Sequence, residues 1–132
     1  MQGKGETMEK TREMPLEALV NCCNHGIDIE LPSGSVVTIQ PSNKYVIRLV
    51  VSESVERVAG GIPITRTTYF HSALLPPVKE GVLYIVPTQV ALAYAGVRDD
   101  FVSPDTRTAT EWDDKNVPKS VKQLRFPPKL RR

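Results

Sequence analysis

Five consecutive apolar residues, Val82-Leu83-Tyr84-Ile85-Val86, stand between Gly81 and Pro87. A run this short, closed off by breakers on both sides, reads as a strand, and with no polar position on either face it has to be buried on both. The rest of the chain must therefore supply a covering layer above and below one central strand. At 132 residues there is room for one such core and no second one. Val and Ile together number 23 against 10 Leu, which biases the remaining elements toward strands as well.

Turn chemistry sets out those strands. Ile27, Ile29 and Leu31 alternate with Asp28 and Glu30, the pattern of a half-buried strand, and Pro32-Ser33-Gly34 turns it back into Val36–Ile39. Tyr45 to Val51 reads as a longer strand. Val55–Val58 and Ile62–Phe70 flank Ala59-Gly60-Gly61 as a further hairpin, with Pro63 marking an edge because proline cannot donate to a ladder. Met14 to Val20 suits one helical turn or a short strand. After the central run, Thr88 can cap a short helix over Gln89–Tyr94 that Gly96 would stop. Asp99–Thr110 is polar and turn-rich, and Ser120–Phe126 gives a last strand with lysines at the sheet margin. The expected fold is α+β, mainly β: a small curled antiparallel or mixed sheet, or partial barrel, of six to seven strands with one short helix. Residues 1–20 read as a mobile leader, 21–126 as one globular β-rich domain and 127–132 as a basic tail.

Several classes are excluded by composition. No apolar run approaches the roughly 18 residues of a membrane span, and no signal-peptide core is present near Met1. Cys22 and Cys23 are adjacent, a spacing that strains a disulfide, so reduced thiols in a cytoplasmic setting are expected. The net charge of +2 hides an asymmetry: all 15 acids precede Lys115, while seven of the 17 basic residues lie in the last 18 positions. Such a tail offers a route to nucleic acid, but Phe126 is its one aromatic, which disfavours a stacking platform. The single Trp112, among acids, suits either a core lid or a surface anchor.

The densest polar cluster is Arg98-Asp99-Asp100 followed by Ser103-Pro104-Asp105-Thr106. Arg98, Asp99, Asp100 and Asp105 could line a surface for a partner or a small anionic ligand, or could pin their own turn through an ion pair. No catalytic set is read here: Gly-x-Ser-x-Gly is absent, and only His25 and His71 could activate a nucleophile. Cys22, Cys23 and His25 match no common zinc spacing, so neither metal nor cofactor is expected.

Six blocks in order resemble a family of small proteins of bacteriophages and prophages. They are Asn21-Cys22-Cys23-Asn24-His25, Pro41-Ser42-Asn43, Gly61-Ile62-Pro63-Ile64, Leu75-Pro76-Pro77, Gly81-Val82-Leu83-Tyr84-Ile85-Val86 and Arg98-Asp99-Asp100-Phe101-Val102-Ser103-Pro104-Asp105-Thr106. That family opens on Asn-Leu-Thr-Pro-His; here Asn21 and His25 keep the ends of the block and the middle differs. The resemblance implies a phage-related origin in a host cytoplasm and adds Asn21 and His25 to the candidate contact residues. It implies no reaction. Three functions compete on the sequence. The first is a non-enzymatic accessory protein that binds a host or phage macromolecule, with self-association compatible. The second is a small-ligand binder that sequesters a nucleotide-type defence signal. The third is a small hydrolase using the carboxylates of residues 98–105. A polar pocket favours the second, a flat apolar patch the first.

Overall fold

The computed structural model of the chain describes residues 13–71 and 75–129. Residues 1–12 of the expected leader and 130–132 of the basic tail lie outside the described residues. Leu16–Ala18 form a 3-10 turn that runs directly into β1, Leu19–Asn21, so both alternatives for this segment are realised in succession. The elements that follow are β2 (Ile27–Glu30), β3 (Val36–Ile39), β4 (Leu49–Ala59), β5 (Ile62–His71), β6 (Leu83–Ile85), α1 (Thr88–Ala93), β7 (Phe101–Pro104) and β8 (Leu124–Arg125). The protein is α+β and mainly β, with mixed sheets that do not close into a barrel.

The central run behaves as its composition demands. β6 lies between β1 and β7 in a four-stranded sheet of order β1-β6-β7-β8. β1 and β7 both run parallel to it, and only β8 is antiparallel. Against the expectation of one core, alternate residues feed two, one on each face of the sheet, because β6 is buried on both. Tyr84, Val86 and Phe101 join Cys22, Ile47, Val90 and Ala91 on one face, under α1. Ile85 and Val102 join Cys23, Ile27, Ile29, Ile39 and Val121 on the other, under the β2–β3 hairpin. Cys22 and Cys23 thus point into opposite cores, and both are free thiols. Edge-to-face contacts of Tyr84 with Tyr45 and Phe101 order the first core.

Four elements differ from the sequence reading. Phe101–Pro104, read as turn-rich loop, is a sheet strand, because its Ser103 is buried and paired by backbone rather than solvated. Tyr45–Val51 and Val55–Val58 are not two strands: 45–48 is irregular and Leu49–Ala59 is one strand, whose pairing register shifts by one residue at a bulge between Val55 and Arg57. The last strand shrinks to Leu124–Arg125, with Val121 bridging to Ile29. Thr88 is the first helical residue rather than a cap; Pro87 holds that position in an extended conformation and offers no side-chain hydrogen bond. Gly96 ends the helical segment at φ +85°, where a side chain would be strained. Trp112 is half exposed on a bridge to Pro118. No helix among the described residues is long and apolar enough to cross a membrane.

Ile85 is fully buried at the centre of the second core. Ile85→Ala is expected to cost about 2–5 kcal/mol, checked by urea unfolding. A loss under about 1 kcal/mol would contradict the double-sided burial of β6.

Candidate functional site

Because β1, β6 and β7 run the same way, their carboxyl ends share one edge of the sheet, and a crevice outside such an edge is where open parallel sheets bind ligands. A cleft of about 760 Å³ opens there. It is walled by the loop after β1 (Cys23–Gly26), the residues after β6 (Pro87–Gln89) and the end of β7 (Pro104, Thr106). The segment Val117–Val121 completes the lining, with Ile47 and Arg48 just ahead of β4. Its volume falls within the roughly 300–1,000 Å³ of small-molecule sites.

The loop after β1 is held by one side chain. Asn21 is 1% exposed, and its amide Nδ2 donates to the carbonyls of His25 and Ile39, each at 2.9 Å. Its Oδ1 accepts from the Cys23 N–H at 2.8 Å. All of these groups are buried or partly so, and truncating the amide would take one partner from each of three backbone groups at once. Asn21 therefore sets the loop's shape and does not face the cleft itself. His25 does line the cleft. Its Nδ1 lies 2.9 Å from the Gly26 carbonyl, an acceptor, so Nδ1 carries the proton. In the neutral ring Nε2 is then left to accept from a ligand hydroxyl or N–H.

Arg48 and Lys119 bring two cations to the lining, and among the described residues neither has an acidic partner. Asp28 is the one acid there, and its Oδ1 already accepts the Thr38 hydroxyl at 2.6 Å. Thr88, Gln89, Thr106 and Ser120 add neutral hydrogen-bonding groups, while Pro87, Pro104, Val117 and Val121 provide apolar wall. Cys23 also lines the cleft, but burial pushes its thiol up to about 11, and burial first, then Cys23 beside it, pushes Cys22 up to about 12. Both thiols stay protonated at neutral pH and are poor nucleophiles.

The acidic cluster read from the sequence is deployed differently. Arg98 donates from Nε and from a terminal nitrogen to the two carboxylate oxygens of Asp100, at 2.9 and 2.8 Å, and lies over the Phe101 ring at 4.5 Å. Both side chains are largely buried. That bidentate pair, its hydrogen bonds first among the causes, raises Arg98 further above its usual range. Asp105 is fully buried by exposed area and takes a second fork, from Arg107 at 2.8 and 2.7 Å, together with Gln123 at 2.9 Å. The Arg107 fork holds its carboxyl well below the usual carboxylate range. Asp99 alone is exposed, lining a second groove between Ala95–Asp99 and Phe126–Lys129. The fold thus brings His25 and its Asn21 support to the cleft and keeps Arg98, Asp99, Asp100 and Asp105 away from it. Arg48 and Lys119 carried no local motif; only the meeting of loops distant in sequence reveals them.

Comparison with protein-family models, curated proteins and solved structures returns no significant match, so the cleft is read from its own chemistry.

Two outcomes follow from the ion pairs. Arg98→Ala strands a buried carboxylate and is expected to cost about 3–5 kcal/mol in urea unfolding at neutral pH. A change within experimental error would show that the pair carries no structural load. Asp105 has a folded pKa below its ordinary 3.8, so its stabilisation is complete above that value and is lost as pH falls through it. The difference in melting temperature between the native protein and Asp105→Asn should therefore be widest near neutral pH and narrow steadily from about pH 5 to pH 2. A gap that is constant with pH would remove the carboxylate charge as its cause.

Proposed function

We propose that this protein is a stoichiometric, non-enzymatic binder of a small phosphate-bearing ligand, held in the cleft at the carboxyl edge of β1, β6 and β7. One observation carries the reading: Arg48 and Lys119, both without acidic partners among the described residues, line the same cleft as His25 and an apolar wall. An unpaired guanidinium and an ammonium suit a phosphate, the first as a fork and the second as a point charge. The Nε2 of His25 suits a ligand hydroxyl, and Pro87, Pro104, Val117 and Val121 suit a flat apolar ring. Together these describe a nucleotide-type molecule. Capture without turnover fits the chemistry, since the cleft's thiol is protonated and its one acid is engaged by Thr38. The resemblance to phage and prophage proteins agrees with sequestration of a host signal in the cytoplasm as the biological setting.

The full chain should bind adenosine 5′-monophosphate in isothermal titration calorimetry, more tightly than inorganic phosphate and far more tightly than adenosine. Arg48→Ala with Lys119→Ala should weaken it at least tenfold, since each lost charge-assisted hydrogen bond is worth about 1.5–3 kcal/mol. The nucleotide should be recovered unchanged. Absence of binding at millimolar probe, equal binding by the double variant, or conversion of the nucleotide would overturn this reading.

A further inference from the structure

The β4–β5 hairpin has no counterpart in the ligand argument. Its strands pair only with each other, and none of residues 50–69 enters either core. Every one of those residues is exposed, with Val58 at 64% and Ile62 at 66%. The register places Val51, Val55, Val58, Pro63 and Tyr69 on one face, interrupted by Glu53, Thr65 and Thr67. Val50, Ala59, Ile62 and Ile64 lie on the other with Arg57 and Arg66. A two-stranded ribbon alone in water is marginal at best, and long apolar ribbons with open edges are what solitary proteins suppress. Ribbon length and apolar content here point to a covering partner.

We infer that this partner is a second copy of the chain, with each protomer laying its arm on the other. Charge favours that occupant. Glu53 and Glu56 balance Arg57 and Arg66, leaving the arm neutral and self-compatible. Among the described residues the one ion pair of the arm is Arg66–Glu56, at 3.0 Å, so Arg57 remains for an acid of the other copy. A nucleic acid would need a net positive ribbon. Area favours it too. Eleven residues span ~36 Å and two strands ~10 Å, so each face offers ~350 Å². One face alone is less than half of the roughly 800 Å² per partner of a typical stable interface, but reciprocal exchange counts the arm given and the arm received, ~700 Å² on each protomer and ~1,400 Å² in all, inside the roughly 1,200–2,000 Å² of specific interfaces. Because Arg48 directly precedes β4, such an exchange would also fix the wall of the cleft.

Sedimentation velocity and native mass spectrometry of the full chain test this. The expected result is a mass of twice 14.7 kDa, reduced to 14.7 kDa by Val55→Glu with Val58→Glu. Both substitutions sit at exposed positions, so circular dichroism of the variant should remain that of a folded β protein. Val36→Glu, at an exposed valine off the arm, should leave the larger mass intact. A monomer at tens of micromolar, a complex containing a different protein, or an oligomer indifferent to the arm substitutions would overturn the inference. Because the nucleotide titration reads a separate set of residues, failure of one result leaves the other standing.

Discussion

Burial of β6 on both faces is the constraint from which the rest of the molecule follows. Tyr84 and Val86 have to meet one apolar layer and Ile85 another, so neither α1 nor the β2–β3 hairpin can be dispensed with. The two edges of β6 are taken by other strands. β1 and β7 fill those places by backbone pairing, with the Tyr84 N–H bonded to Asp100 and the Val86 N–H to Val102, each at 2.8 Å. Both neighbours run parallel to β6, and parallel pairing gathers three strand ends at one edge. The cleft is thus a by-product of how the core is enclosed.

Buried polar groups then decide what that edge looks like. Asn21, at the last position of β1, satisfies two carbonyls and one N–H with a single amide, which fixes the loop carrying His25. Asp105 does the corresponding work at the end of β7, accepting from Arg107 and Gln123 and tying the 3-10 turn that follows to the segment ahead of β8. Replacing either would leave several buried partners unmet at once, which is why such groups hold geometry more firmly than they add net stability. Arg98 and Asp100 pin the chain where it leaves the helical segment and enters β7. The Asn21 bonds hold the loop that carries His25, and the Asp105 bonds hold the turn at the end of β7, both in the wall of the cleft.

Cleft and arm answer different physical needs. The cleft gathers cations that have no acidic partner among the described residues; the arm carries apolar side chains that those residues leave uncovered. They meet at residues 48 and 49, where the cleft wall becomes the root of β4.

Local chemistry was enough to determine the strands whose pattern is carried by their own residues: the all-apolar β6, the alternating β2, the β3 return after Pro32-Ser33-Gly34, and the hairpin about Gly60-Gly61. It also determined the helix between Pro87 and Gly96. β7 was hidden because Ser103 is a buried polar residue paired through its backbone with Arg125, far away in the chain, and no local period can report that. The same limit applied to function. Arg98, Asp99, Asp100 and Asp105 stand out as a cluster in sequence, yet proximity along the chain lets Arg98 pair with Asp100 and Arg107 with Asp105, so their charges are consumed locally. Arg48 and Lys119 are 71 positions apart and unremarkable in sequence. Backbone hydrogen bonds from the Ile47 N–H to the Cys22 carbonyl and from the Val121 N–H to the Asp28 carbonyl bring their segments to one cleft, and such long-range bonds exist only in the tertiary structure.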